Sequence, residues 1–190
     1  SLSNLADGTY TVTSTFSAAW ATSPRSGISK SYSFTFQFKI DSTAPTMNNV
    51  STSSTGKYTN SSTYVYASDS MSGVDAIYMK TPGSSSYGNM GTSTTVSSSG
   101  TNGLYSFYAK DKVGNISRTY FLYLDTVKPT GTIKNSNGAE ITGSYTNQAF
   151  SYSATDSGSG ISYLQYKKPG SSSWLTYTSG TSISASAASG

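Results

Sequence analysis

The sequence predicts an all-β protein built from tandem β-sandwich repeats. Ser and Thr supply 69 of the 190 residues, and 16 Tyr, 7 Phe and 2 Trp carry much of the apolar content. Thr, Tyr and Phe favour strands, whereas residues that favour helices, such as Leu, Glu and Lys, are sparse. The third observation is a set of motifs that recur along the chain at constant spacing, which is typical of repeat proteins.

Four motifs in the second half of the chain match motifs in the first half at one spacing of 87 residues. The pairs are 58–60 with 145–147, 68–70 with 155–157, 72–73 with 159–160, and 82–87 with 169–174. A proline-containing segment, 41–46, recurs as 125–130 at a spacing of 84. Proline cannot donate a hydrogen bond in a central strand, so both segments are predicted to be inter-domain linkers. The difference of three residues predicts an insertion between Asn135 and Gly143.

These boundaries divide the chain into three predicted parts. Residues 1–41 are predicted to be the last two strands, F and G, of a preceding repeat. Residues 42–124 form one complete repeat, and residues 125–190 form a repeat that lacks its last strands. Short alternating segments separated by turn residues predict the strands of a sandwich. The predicted strands are 7–12 and 32–40 in the first part, and B (62–67), C (76–80), F (103–109) and G (118–124) in the complete repeat.

The two incomplete parts leave two interpretations open. In the first, the chain is a window from a longer array of repeats. In the second, residues 1–41 of one molecule complete residues 126–190 of another, which would build head-to-tail fibres by strand complementation. In the first part, the residues from Thr15 to Ile28, which include Trp20, are predicted to form a long loop in place of the F–G turn.

The motifs of residues 42–190 resemble those of bacterial immunoglobulin-like repeats in large surface and adhesin-type proteins. The resemblance rests on the Gly-x-Tyr strand, the Asp-Lys-Val-Gly-Asn-Ile-Ser turn at 111–117, the segment that ends in Val-Lys-Pro-Thr at 127–130, and the Asp-Ser-Gly-Ser-Gly-Ile motif at 156–161. It implies tandem immunoglobulin-like β-sandwiches that form an extracellular, cell-surface stalk or fibre. It also implies calcium ions between domains, as in several relatives of this type.

The residue content argues against catalysis. The chain has no His, no Cys and a single Glu, so nucleophile systems that pair Ser or Cys with His are excluded. Paired carboxylates would have to come from aspartates, most of which lie in predicted turns, where they commonly accept backbone hydrogen bonds. The chain is therefore predicted not to be an enzyme.

Calcium is the main ligand hypothesis. The B–C and F–G loops of an immunoglobulin-like sandwich lie at the same end as the start of strand A, so Asp41, Asp69 and Asp111 are predicted to converge. Asp125 and Asp156 are the corresponding candidates in the next repeat. Calcium takes about six to eight hard oxygen ligands, which suits loop carboxylates. The alternative is that each aspartate only closes its own turn.

A carbohydrate-binding or adhesive module is the alternative function. Tyr87 and Trp174 occupy equivalent positions of the two repeats, and Tyr177 is close in sequence, so the three are candidates for an aromatic surface that binds a glycan. Packing within each repeat is the competing interpretation.

The remaining partner predictions follow from charge and hydropathy. The net charge of +4 comes from dispersed Lys and Arg, a pattern that does not predict nucleic-acid binding. No apolar run reaches the ~18 residues of a membrane span. The predicted partners are neighbouring repeats of the same protein and further copies of the chain in a filament.

Overall fold

The computed structural model describes residues 5–19 and 29–184. Within these ranges every regular element is a β-strand, so the prediction of an all-β chain is confirmed. No described segment forms an apolar helix of membrane-spanning length.

The first part of the described chain is one long antiparallel ribbon. It consists of β1 (Gly8–Ala19) and β2 (Ser29–Ile40), which pair without interruption from Gly8 opposite Ile40 to Ala19 opposite Ser29. The predicted loop from Thr15 is wrong in its first five residues, because Thr15 to Ala19 pair with Ser29 to Ser33 of β2 and continue the strand. Trp20 and the rest of that predicted loop lie outside the described residues.

Residues 46–124 form two sheets that pack face to face. One sheet has three strands in the order β3-β5-β8, and the other has five in the order β4-β10-β9-β6-β7. All neighbouring pairs are antiparallel except β4 with β10, which are parallel. The strands are β3 (Thr46–Asn48), β4 (Lys57–Thr59), β5 (Thr63–Ser68), β6 (Val74–Lys80), β7 (Gly88–Asn89), β8 (Ser93–Val96), β9 (Gly103–Asp111) and β10 (Tyr120–Leu124).

One buried cluster joins the two sheets. Met47, Val65 and Val96 come from the three-stranded sheet, and the other members come from the five-stranded sheet. Those other members are Ile77, Tyr105, Phe107, Ala109, Leu122 and Leu124. Strand alternation places these side chains inward, so this core fixes the loop ends on which the aspartates lie.

The last described part contains two separate strand pairs. β11 (Thr130–Asn135) pairs with β12 (Phe150–Thr155), and β13 (Leu164–Tyr166) pairs with β14 (Leu175–Tyr177), both antiparallel. Phe150 also forms an isolated bridge with Ile183. Burial is sparser than in the preceding sandwich: Leu164 and Tyr177 are the buried apolar side chains among the described residues of this part.

Candidate functional site

Two aspartates close the loops at one end of the sandwich. Asp69 follows β5, and its Oδ1 accepts the N–H groups of Met71 and Gly73 at 3.1 and 2.8 Å. Asp111 ends β9, and its Oδ1 accepts N–H groups from the turn that follows. Such Asx turns form because the short carboxylate reaches the backbone two to four residues ahead.

The Asp111 turn is the more deeply buried of the two. The side chain is fully buried and accepts the N–H groups of Val113, Gly114 and Asn115 at 3.0, 2.7 and 2.7 Å. The Asn115 amide also donates to Asp111 Oδ2 at 2.7 Å. Burial by itself raises the pKa of Asp111, but these hydrogen bonds outweigh it and hold the pKa below its ordinary value.

Asp41 completes a cluster of three carboxylates. One oxygen from each of Asp41, Asp69 and Asp111 lies within 4.8 Å of the others, which is the convergence that the loop positions predicted. Asp41 Oδ2 accepts the N–H of Ser72 at 2.8 Å. At an effective dielectric constant of ~20, two such charges repel by about 3 to 4 kcal/mol, so the hydrogen bonds are needed to hold the cluster together.

Asn115 ties this cluster to the backbone of the segment that leads into β3. Its amide nitrogen donates to the carbonyl oxygens of Asp41 at 3.0 Å and Thr43 at 3.4 Å. One side chain therefore contacts the end of β9 and the segment that follows β2. Asn115 belongs to the predicted turn at 111–117, and the turn motif alone does not predict this role.

The same segment is held from its other side by Asp7. Asp7 Oδ1 accepts the N–H and the hydroxyl of Ser42 at 2.7 and 2.6 Å, and Oδ2 accepts the Thr43 hydroxyl. The Ser42 and Thr43 hydroxyls lower the pKa of Asp7. Asn102 makes the corresponding contact later in the chain, where its Oδ1 accepts the N–H and hydroxyl of Thr126 at 2.9 and 3.0 Å.

Asp125 and Asp156 form a second, smaller acidic pair. Asp125 Oδ2 accepts the N–H of Ser159 at 2.6 Å, and hydrogen bonds from Ser159 hold the pKa of Asp125 below its ordinary value. Asp156 Oδ1 accepts the N–H groups of Gly158 and Gly160 at 3.0 and 2.9 Å. The pair therefore repeats the contacts of Asp41 and Asp69.

The three candidate aromatic residues do not form one surface. Trp174 is 61% exposed, whereas Tyr177 is only 7% exposed. Tyr177 lies opposite Leu164, the other buried side chain, and its hydroxyl accepts the N–H of Tyr152 at 2.9 Å. Tyr177 is therefore packed inside this part of the chain and is not available to an exposed binding surface. Tyr87 packs edge-on against Tyr108 at 4.9 Å.

Comparison of the chain with family models, curated proteins and solved structures gave no match.

Proposed function

We propose that this chain is a spacer of an extracellular surface protein, built from tandem immunoglobulin-like sandwiches whose linkers are held rigid. The observation that carries the proposal is that each linker is held by hydrogen bonds from both sides. Asp7 precedes the first linker and binds Ser42, while Ser72 follows it and binds Asp41. A spacer that holds a partner at a distance needs junctions of this kind, because a free linker collapses to a random coil.

The second linker is held by equivalent residues. Asn102 binds Thr126 from the preceding side, and Ser159 binds Asp125 from the following side. The spacing between Asp41 and Asp125 is 84 residues, that of the proline segment, and the spacing between Ser72 and Ser159 is 87 residues. Equivalent residues therefore make the same kinds of hydrogen bonds at both linkers, which supports the proposal of a repeated unit.

Strand register supports the tandem repeat. Thr46 and Met47 pair with Ser68 and Ala67, and the positions 84 and 87 residues later pair in the same way, Thr130 with Thr155 and Gly131 with Ala154. Further pairs recur with both partners shifted by 87 residues. They are Thr63–Val96 with Phe150–Ile183, Tyr78–Asn89 with Gln165–Thr176, and Met79–Gly88 with Tyr166–Leu175.

Two tyrosines support the immunoglobulin-like type. Tyr105 donates its hydroxyl proton to the carbonyl of Thr101 at 2.9 Å, and Tyr10 donates to that of Ala6 at 2.7 Å. In each case the tyrosine is the third residue of a long strand and its acceptor lies four residues upstream, as in the tyrosine corner near the start of strand F in immunoglobulin folds. On this basis β1 and β2 are the F and G strands of a repeat.

If hydrogen bonds hold the first linker rigid, the distance between the two units that it joins should have a narrow distribution. Spin labels at exposed Thr11 and Thr95 would report the distance across the first linker by double electron–electron resonance. We expect one narrow peak at neutral pH and a broad one in Asp7→Ala, because that change removes three hydrogen bonds to the linker.

Asp75→Ala is the matched control, since Asp75 is exposed on β6 and takes no part in the hydrogen bonds that Asp7 and Ser72 make to the linker. It should leave the peak narrow. A broad distribution in the unsubstituted chain, or one that Asp7→Ala does not change, would contradict the spacer proposal.

Calcium binding by the acidic cluster stays a prediction. Oxygen atoms that share one calcium ion at about 2.4 Å must lie within about 4.8 Å of one another, and the three carboxylates meet this condition. The hydroxyl oxygen of Ser72, whose N–H binds Asp41, is buried without a hydrogen-bond partner. Against this, Asp111 Oδ1 already accepts three N–H groups.

Thermal unfolding with calcium and with a chelator tests this prediction. An ion that binds only the folded state stabilises it by an amount that grows with the ratio of free calcium to Kd, so we expect calcium to raise the Tm, and the rise to disappear in Asp69→Asn. Asp75→Asn should keep the rise. An equal Tm in calcium and in chelator would contradict calcium binding. The three aspartates would then only close their turns.

A further inference from the structure

The outer face of the five-stranded sheet carries three tyrosines that contact one another. Tyr78 on β6 lies directly opposite Tyr108 on β9 in the antiparallel register. Their rings are stacked, with centroids 4.7 Å apart and planes 8° from parallel. Tyr87, the residue before β7, meets the Tyr108 ring edge-on at 4.9 Å. Three phenol rings therefore form one patch on the side of the sheet that faces away from the core.

The stacked pair is not required by the strand pairing at this position. The residue 87 positions after Tyr78 is Gln165. Tyr78 lies opposite Asn89, and Gln165 lies opposite Thr176 in the same relative register. A strand of this kind therefore pairs in the same way with an amide side chain in place of the ring. The stack is a particular feature of the central sandwich, and its chemistry can serve a purpose other than folding.

We infer that Tyr78 and Tyr108 join in a covalent dityrosine crosslink when the chain meets a one-electron oxidant, such as a haem peroxidase supplied with hydrogen peroxide. The inference goes beyond the spacer proposal and does not depend on it, because it rests on a contact within one sheet. The bond would tie β6 to β9, two neighbouring strands of that sheet.

The reaction is an oxidative coupling of two phenols. Each phenol loses one electron and one proton and becomes a phenoxyl radical, whose unpaired electron is shared with the ring carbons beside the one that bears the oxygen. The two radicals form one carbon–carbon bond between such ring positions, and the two displaced ring hydrogens move to the oxygens and restore the phenols. One molecule of hydrogen peroxide takes up the two electrons and two protons and becomes two molecules of water.

Strand pairing holds the two rings close to the geometry of the product. Side chains directly opposite each other in an antiparallel pair have Cβ atoms about 4.5 to 5.5 Å apart. In the coupled product the ring centroids are separated by one carbon–carbon bond and two ring radii, which is slightly less than the 4.7 Å found here. The rings need only turn out of the stack, and the broad χ2 wells of aromatic side chains allow this. Reacting groups that are already in contact couple far faster than groups that meet by diffusion.

The patch is accessible to an oxidant and meets no competition from thiols. Tyr78 and Tyr108 are both partly exposed. The chain has no cysteine, the residue whose thiolate is readily oxidised. Tyr87 is the neighbouring competitor, but its plane is inclined by 64° to that of Tyr108. We therefore expect the bond between Tyr78 and Tyr108 to form in preference to one between Tyr87 and Tyr108.

Peptide mapping after controlled oxidation tests the inference. The dilute chain is treated with a haem peroxidase and hydrogen peroxide, and the species of 19.9 kDa is isolated so that bonds between chains are excluded. Trypsin cuts after Lys57, Lys80 and Lys110, so Tyr78 and Tyr108 fall in different peptides. We expect these two peptides to be linked, with dityrosine fluorescence and a mass two hydrogens below their sum. Fragmentation of the linked pair locates the bond.

Two matched variants separate this bond from other couplings. Tyr108→Phe keeps the ring but removes the phenol, so the bond between positions 78 and 108 should be lost. Tyr123→Phe is the control, because Tyr123 lies on the adjacent strand β10 and contacts Tyr58 at 5.1 Å. It should leave the 78–108 bond unchanged. Each variant deletes one hydroxyl group outside the buried cluster, and circular dichroism confirms that both are folded.

The bond also predicts a shorter extension under force. It closes the thirty residues between Tyr78 and Tyr108 into a loop that cannot add to the length released on unfolding. At ~3.3–3.6 Å per residue this length is about 100 Å. We therefore expect the oxidised sandwich to release about 100 Å less than the untreated one in single-molecule pulling, and oxidised Tyr108→Phe to show no shortening.

Oxidation in urea separates the folded geometry from chance coupling. The chain has 16 tyrosines, so radicals on the unfolded chain should couple in many combinations, and the share of the 78–108 bond should fall several-fold. The inference would be overturned by a folded chain that forms no 78–108 bond or couples Tyr87 to Tyr108 instead. An equal share of the bond in urea, or an equal released length before and after oxidation, would overturn it as well.

Discussion

Phe107→Ala should lower the free energy of unfolding of the central sandwich by about 3 to 5 kcal/mol, as for other large aromatic residues deleted from a core. The Phe107 ring is fully buried at the centre of the cluster that joins the two sheets. Its removal leaves a cavity that both sheets border and that strands tied by hydrogen bonds cannot close. Urea unfolding followed by circular dichroism measures the loss.

Tyr64→Ala is the control for this substitution. Tyr64 is 53% exposed and stacks on Tyr66 at the surface, so we expect a change below about 1 kcal/mol. Equal losses for the two variants would mean that the sheets do not share the core described here.

Asp111→Ala should be the most damaging substitution of an ionised residue. It removes a buried acceptor and leaves the N–H groups of Val113, Gly114 and Asn115 without their partner. Buried donors that lose a charged acceptor cost about 1 to 3 kcal/mol each, partly recovered if water enters, so we expect a total loss of about 2 to 4 kcal/mol. Thermal unfolding measures it, and Asp75→Ala, at an exposed position on β6, serves as control.

The lowered pKa of Asp111 predicts how the free energy of unfolding changes with pH. The folded-state pKa of Asp111 is below its ordinary value, so the carboxylate contributes stability above the unfolded-state value of about 3.9. That contribution is lost as the pH falls through the lower, folded-state pKa. The stability difference between the unsubstituted chain and Asp111→Ala should therefore be constant near neutral pH and shrink in acid. A difference that grows in acid would contradict this assignment.

Local pattern was sufficient to predict the four longest of the eight strands of the central sandwich, β5, β6, β9 and β10. Residues 103–109 alternate inward and outward side chains, and the structure places β9 at Gly103–Asp111. The extent of β1 was not predictable in the same way. Thr15 to Ala19 resemble a polar loop in isolation, and they form a strand because Ser29 to Ser33 lie opposite them.

The candidate site also has one part that the sequence predicted and one part that it did not. Loop positions alone brought Asp41, Asp69 and Asp111 together, because loops at one end of a sandwich must converge. Asp7 and Asn102 were missed, since their partners lie 24 to 36 residues away in the proposed linkers. Tyr177 was misplaced because closeness in sequence to Trp174 does not decide which side of a strand a ring occupies.

Single-molecule force spectroscopy tests the proposed spacer function most directly, because a spacer must stay folded when it is pulled at its two proposed linkers. β4 and β10, near the two ends of the unit, pair in parallel, so a pull on both linkers loads their hydrogen bonds together in shear. We expect one discrete rupture that releases on the order of 250 to 300 Å, from about 80 residues at ~3.3–3.6 Å each. Gradual extension without a rupture of that length would contradict it.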